Sequence, residues 1–443
     1  MTAMTKKASF DGSPKSLAGS GRDFRSPPGS DFHSRTTPLS DWIEARKRDG
    51  VWSYGRSLAS RPGAKASIKD ANMKEFSGLN FGSQDYLNLS THPEVVDAAI
   101  KAIQDYGVHS SGSGILMGNT DISIKLENAI SDHLQATDTQ LFPTGWGAGF
   151  GVVSGLVRPD DHVVLDVFAH SCLQEGAMAS TKNVHRFRHL DNDDLRRVLS
   201  TIRASDTANA VMVITEGLFS MHADAPDLRT VQDLCHEFDA TLVVDVAHDL
   251  GSTGPGGTGQ IGIQGMVGKI DIVMGSFSKT FASNGGFVAT KSRSLRNFIQ
   301  VFASTTLFTN ALSPSQAAAI CASLSIVRSP EGERLRQSLA SVSNHIHEHL
   351  KRHGLTVHGI GGPIAPVSVG NEAAGRLVCS LLPSNGILAN LAEYPVVPKN
   401  DSRIRLQMMA SHTEDDVSRL ATTLRSAVDE ANEVLQFRPG TVV

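Results

Sequence analysis

Four short apolar runs, each with a polar or charged residue at its last or next-to-last position, constrain this chain most: "HVVLDV" (162–167), "AVMVITEG" (210–217), "ATLVVDV" (240–246) and "KIDIVMGS" (269–276). Each is too short for a buried helix and none alternates, so each reads as a strand covered on both faces. Between two of them "DLRTVQDLCHEFD" has helical periodicity and reads as a crossover. Parallel strands need such crossovers, so the expected fold class is α/β with a mostly parallel sheet. In sheets of this kind chemistry gathers beyond the carboxyl ends of the strands. That rule singles out Glu216–Ser220, Asp245–His248 and Ser276–Lys279.

The flanks have other textures. Residues 1–37 are rich in Ser, Gly, Pro and Arg and read as a disordered arm. Residues 38–75 read as an N-terminal helical segment, with a helix at "SDWIEARKRDG" capped by Ser40. Residues 76–325 form the expected large domain. Within it "THPEVVDAAIKAIQDYG" has Thr91 and Glu94 at capping-box spacing and an apolar stripe at Val96, Ile100 and Ile103. Residues 326–435 read as a smaller α+β domain: a long charged helix from Pro330, a strand pair in "LTVHGIGGPIAPVSV", and a last helix "EDDVSRLATTLRSAVDEANEVL".

Charge and cysteine use narrow the function. Across 443 residues, 41 Lys and Arg face 45 Asp and Glu, a net charge of −4. There is no global basic field, so nucleic acid is not an expected partner. Cys172, Cys235, Cys321 and Cys379 are scattered without a CxxC pair, which points to a reducing compartment and against a thiolate zinc site. No apolar run is long enough to span a bilayer, and the expected location is the cytoplasm. His345, His349 and His353 in "HIHEHLKRH" share a helix face without the carboxylate of a metal motif, and read as a solvated face; no metal is expected. "GSFSKT" has Ser278 where a phosphate-binding P-loop needs glycine, and "SSGSGILMG" follows a helix rather than a strand, so neither nucleotide motif stands.

Two strand ends carry the chemistry. Asp245 closes an apolar strand with His248 three residues on, and Lys279 follows another such strand inside "MGSFSKTFAS". Each has a plain reading beside the chemical one. The aspartate could cap the next turn and the lysine could reach to solvent. A carboxylate and an amine held together in a partly apolar place suit pyridoxal phosphate (PLP). The lysine forms a Schiff base with the aldehyde, and the aspartate keeps the pyridine nitrogen protonated.

At this point the chain resembles the α-oxoamine synthase family of fold-type I PLP enzymes. The resemblance runs over roughly residues 76–430, through "NFGSQDYLNLSTHPEV", "GSGILMGNTDISIKLE", "PTGWGAGFG", "DVFAHSCLQEGA", "RFRHLDNDDL", "ITEGLFSMHADAPDL", "VVDVAHDLGSTGPGGTG", "GSFSKTFASNGGF", "LFTNALSP", "GGPIAPV" and "EYPVVPKNDSRIRLQMMASHT" in order. It implies a large domain with a mostly parallel sheet and a smaller C-terminal α+β domain. It also implies roles. Lys279 would hold the coenzyme and move the substrate's α-proton, and Asp245 would pair with the ring nitrogen. His248 and Ser220 would bond the ring's phenolic oxygen, and His170 would stack on the ring. The amides of Gly145 and Trp146 and the hydroxyl of Ser276 would hold the phosphate. Arg405 would grip the substrate carboxylate as a fork, with Gln84 as a further donor. Thr309 and Asn310 would reach the phosphate of a partner subunit, making the active unit a homodimer. Read without the family, Arg405 is better taken as a surface strand arginine and His170 as a polar loop residue.

The chain departs from the family pattern at Gln84, Asn88, Gly114, Ser123, Gly149 and His222–Ala223, where Asn, Gly, Arg, His, Asn and Asp–Gly are usual. No acidic residue follows Asp245. The coenzyme set is intact, while substrate-facing positions drift. The implied activity is a PLP-dependent C-acyltransferase that condenses an amino acid with an acyl thioester, on CoA or a carrier protein, with loss of CO2. The alternatives are an aminotransferase or decarboxylase on the same scaffold, or a non-catalytic partner subunit. Lys279 and Asp245 together argue against the last.

Overall fold

The computed structural model describes residues 10–436. They fall into two compact units. One takes the chain up to Ser83, Met221–Ala223 and everything from Ala340 on; the other takes Gln84–Ser220 and Asp224–Leu339. The N-terminal segment and the C-terminal domain, expected to be separate, thus belong to one unit.

The second unit is built on a seven-stranded sheet ordered Asp138–Phe142, Gly286–Thr290, Ile272–Ser276, Ala240–Asp245, Val211–Glu216, His162–Asp166, Asn183–Phe187. The last five run parallel, and Gly286–Thr290 runs antiparallel to both its neighbours. Val163, Val164, Leu165, Val213, Ile214, Leu242, Val243 and Val244 are all fully buried. Helices cover both faces of a parallel sheet, so its strands must be apolar on both sides, which is why the four runs were readable. Register aligns their polar ends: Glu216 lies opposite Asp245, and Asp245 opposite Met274, two residues before Ser276.

The first unit holds two four-stranded sheets. One joins Ser57–Leu58, Lys65–Lys69, Glu75–Asn80 and Ile387–Leu388; the other joins Thr356–Val357, Ile364–Gly370, Ser402–Gln407 and Asn390–Ala392. The helices Glu372–Leu381 and Glu414–Gln436 pack together in the same unit. Glycine is required where strands cross closely: a Cβ on Gly78 would fall 2.3 Å from the Gly386 carbonyl oxygen.

Several expectations about the flanks are corrected. Residues 1–9 lie outside the described residues, but 10–37 are not a disordered arm. Pro14–Leu17 is a helical turn, and Leu17 is buried. The backbone that follows is held by distant side chains: Arg376 donates to the Leu17 carbonyl and, at 2.6 Å, to that of Gly19, while Trp42 Nε1 donates to Ala18 at 3.2 Å. The first long helix is Phe32–Arg48, not one capped by Ser40. Asp31 caps it through the Ser34 amide at 2.9 Å, and Pro38 lies inside it. Helix Pro93–Tyr106 is preceded by His92 without a side-chain cap, because Thr91 ends a short 3-10 turn and Pro93 takes the first helical position. Its Val96, Ile100 and Ile103 are 39–49% exposed, and Val95 and Ala102 are the buried residues instead.

Candidate active site

The helix Gly145–Leu156 begins with two glycines among its first three residues and is capped by Thr144, whose Oγ1 accepts from the Gly147 amide at 2.9 Å. Its first turn lies against the end of Ile272–Ser276. A Cβ on Gly145 would stand 2.3 Å from both Cβ and Oγ of Ser276. Only glycine lets the helix N-terminus and the serine hydroxyl converge this closely. Orphan amides at a helix start favour an anion.

A cavity of about 270 Å³ opens at this edge of the sheet, and Gly145, Trp146 and Ser276 form one side of it. His170, Asp245, His248 and Lys279 also line it, together with Cys172 and Glu216. Seven of the sequence-predicted residues thus meet in one place. Ser220 sits in the turn after Val211–Glu216 but is not on the cavity wall, nor is Gln84. Thr309 and Asn310 are exposed and also off the wall; Thr309 Oγ1 donates to Thr305, and Asn310 Nδ2 lies 2.9 Å from His109 Nε2. Arg405 belongs to the other unit, in strand Ser402–Gln407, where it is nearly buried.

The electrostatics are those of an acid-rich floor. Burial raises the Asp245 carboxyl above its usual range, opposed by His170 and Lys279. Burial and then the Asp245 charge hold Glu216 well above the carboxylate range. Such a floor is at ease only with a cation or a proton at hand. Around it the donors are fixed. The Tyr86 hydroxyl lies 3.0 Å from His248 Nδ1, and Tyr86 is fully buried. His170 Nδ1 accepts from the Cys172 amide at 3.3 Å and lies 3.0 Å from the Cys172 Sγ. An accepting Nδ1 puts the ring proton on Nε2. Burial pushes the Cys172 thiol up, so it stays protonated and can donate to the ring.

Sequence reasoning gave Tyr86, Glu216 and Cys172 no role. Glu216 carried the same signal as Asp245, a carboxylate ending a buried strand. Tyr86 and Cys172 had no such signal, since each is defined by a partner in the folded site.

These residues fit PLP. The glycine–serine cradle at a helix N-terminus suits a phosphate dianion, the buried Asp245 suits a protonated pyridine, and Lys279 supplies the amine.

Comparison with known proteins agrees. The model of the aminotransferase class I and II family matches residues 77–424. A serine palmitoyltransferase from Sphingobacterium spiritivorum is 32% identical over 375 residues, covering 85% of this chain and 91% of that protein. An 8-amino-7-oxononanoate synthase from Geobacter metallireducens is 31% identical over 397 residues, covering 90% and 99%. In fold, the chain is similar to serine palmitoyltransferase from S. paucimobilis with bound PLP–myriocin aldimine, at TM-score 0.85 and 24% identity, covering 91% of this chain and 100% of that one. The polar strand ends, the glycine–serine cradle and the relatives lead to one assignment: this chain belongs to the aminotransferase class I and II family, as a PLP-dependent α-oxoamine synthase of fold type I.

Proposed function

We propose that this chain condenses an amino acid with an acyl thioester, with loss of CO2, to give an α-amino ketone, and that it does so as a cytoplasmic homodimer. The observation that carries the reading is the meeting of Lys279, Asp245, His248, His170, Ser276 and Gly145 around one cavity. The relatives' names, a palmitoyltransferase and an oxononanoate synthase, support acyl transfer over transamination. Scattered free cysteines suit a reducing compartment.

When bound, PLP supplies a sink for the electrons left at the substrate's α-carbon. The chain's residues would then divide the work. Lys279 Nζ would anchor the coenzyme and, once displaced by the substrate's amine, would be free to take the proton from the substrate Cα. Asp245 would hold a proton on the ring nitrogen, which suits a buried carboxylate. Gly145, Trp146 and Ser276 bind the phosphate. His170, donating from Nε2, polarises the thioester carbonyl. Arg405 orients the substrate carboxylate.

The test mixes purified enzyme with PLP, a panel of amino acids and acyl-CoAs of graded length, and measures free thiol and CO2. Release of both, lost in Lys279→Ala, supports the reading. Accumulation of pyridoxamine phosphate without thiol release would replace it with transamination.

A further inference from the structure

His189 lies outside the cavity and follows the end of strand Asn183–Phe187. Its Nδ1 meets the Asp166 carboxylate at 2.9 and 3.0 Å, and its Nε2 meets that of Asp224 at 3.2 and 3.1 Å. Carboxylates accept and do not donate, so both ring nitrogens carry protons and the ring is a cation. Phe219 packs edge-on against it at 4.6 Å and Phe168 lies tilted at 4.8 Å. Burial works against this charge, and the bonds to Asp166 and Asp224 outweigh it, leaving a pKa of about 9.

The two carboxylates belong to two different loops. Asp166 ends strand His162–Asp166, and its side chain is fully buried. It also accepts from the amides of Phe168 at 2.9 Å and Leu190 at 3.1 Å, and its carbonyl from that of Ala169 at 3.0 Å. The turn fixed this way leads directly to His170 on the cavity wall. Asp224 closes the turn that follows Glu216: its carbonyl accepts from the Phe219 amide at 2.9 Å, with Ser220 inside the turn. Leu190, next to His189, takes a left-handed φ of 54°, a conformation leucine avoids, and it is in this conformation that its amide meets Asp166.

We propose that His189 is a positioning residue: its ring, bonded at both nitrogens to carboxylates, ties the loop leading to His170 to the loop carrying Ser220, and so governs how firmly the coenzyme is held. The proposal rests on the assignment of His170, on the cavity wall, to the coenzyme; Ser220 stands off that wall and enters only through the family resemblance. The charged groups facing the ring are Asp166 and Asp224, and the Asp166 charge in turn helps to raise Glu216 on the neighbouring strand. Glutamine at 189 can neither carry the charge nor bond both carboxylates at once.

The experiment compares wild type, His189→Gln, Asp224→Asn and the double variant, with His170→Ala and Ser220→Ala as controls. PLP release from the holoenzyme is followed by its visible absorbance, and the orientation of the bound coenzyme by visible circular dichroism. Amide hydrogen exchange of peptides spanning 166–176 and 217–226 is measured in the coenzyme-free protein. His189→Gln and Asp224→Asn should each release PLP about tenfold faster, change the visible dichroism, and speed exchange in both loops. The double variant should be no worse than His189→Gln, because one bridge is lost once. Wild-type release above pH 9 should approach that of the variants. Release and dichroism within twofold of wild type in both single variants, or fully additive effects, would overturn the proposal. If His189→Gln does not fold, Asp224→Asn decides. If the His170 and Ser220 controls leave PLP release unchanged, the site assignment has failed instead, while the exchange data still report the clamp.

Discussion

Arg376 Nε donates to Glu393 at 2.7 Å where both side chains are almost without solvent. The remaining nitrogens of Arg376 hold the carbonyls of Leu17 and Gly19, so this ion pair is also the anchor of the N-terminal segment. Arg46 joins it, 3.8 Å from Glu393, with its guanidinium 3.5 Å over the Trp42 ring. Removing one partner of a buried pair leaves an uncompensated charge, at a cost of about 3–5 kcal/mol. Arg376→Ala should therefore lower the melting temperature and expose residues 14–20 to proteolysis. A variant that melts like wild type and resists protease at those residues would show that the anchor does nothing.

Asp249 gives a pH prediction. Its carboxylate is buried, with the Gln260 amide on Oδ2 at 2.6 Å, and burial pushes its pKa up to about 7. A carboxyl that is harder to ionise when folded weakens the fold wherever the unfolded chain ionises it. The loss starts above the usual 3.8, grows until pH reaches about 7, and is constant beyond. The full shift corresponds to at most about 4 kcal/mol. Asp249→Asn should raise the melting temperature of the coenzyme-free protein at pH 8, and the gain should shrink at pH 5. An equal effect at both pH values would mean that Asp249 is not the titrating group.

What the sequence made legible follows from which interactions are local. The strand runs were readable because burial on both faces leaves a continuous apolar word, and Asp245 and Lys279 were readable because they interrupt that word. Contacts set by distant partners were not. Tyr86 and His248 are 162 residues apart, and Arg376 and Leu17 are 359 apart. Composition marked residues 1–37 as a disordered arm, and for 10–37 that was wrong: Leu17 and Gly19 are held by Arg376 from the other end of the chain, and the helix from Phe32 is capped by its own Asp31. Periodicity found an apolar face at Val96, Ile100 and Ile103 but could not say what covers it, and in this chain that face is exposed.

Thr309 and Asn310 lie exposed and off the cavity wall, and in the proposed homodimer they would serve the partner's cavity. Mixing inactive Lys279→Ala with an inactive Thr309→Ala/Asn310→Ala variant should then restore part of the activity, up to about one quarter when subunits exchange randomly. Full activity from a species that scatters light as a monomer would dispose of the shared site.

Arg403 and Arg405 share one face of strand Ser402–Gln407 but have different surroundings. Arg403 is tied down: its Nη2 meets Asp401 at 2.5 Å, its Nε meets the same carboxylate at 3.1 Å, and its Nη1 donates to the Met221 carbonyl at 2.6 Å. Asp401 is held in turn by Ser368 at 2.6 Å. Arg403 therefore has a structural duty, and Arg403→Lys should lower the melting temperature with little change in the amino-acid KM. Arg405 lies opposite Pro366, which has no amide hydrogen to offer, and opposite Asn390. Assigned to the substrate carboxylate, it provides a planar fork that fixes which bond at the α-carbon can break. A lysine there keeps the charge and loses the fork. Arg405→Lys should raise the amino-acid KM and lower kcat together, with a combined loss in kcat/KM equivalent to about 2–5 kcal/mol. PLP content should be normal in both variants, as judged by the visible absorbance of the purified proteins. A silent Arg405→Lys beside an Arg403→Lys that raises the KM would move the carboxylate site to Arg403. If neither KM moves, neither arginine binds the substrate carboxylate, and the amino-acid half of the proposed reaction fails with them.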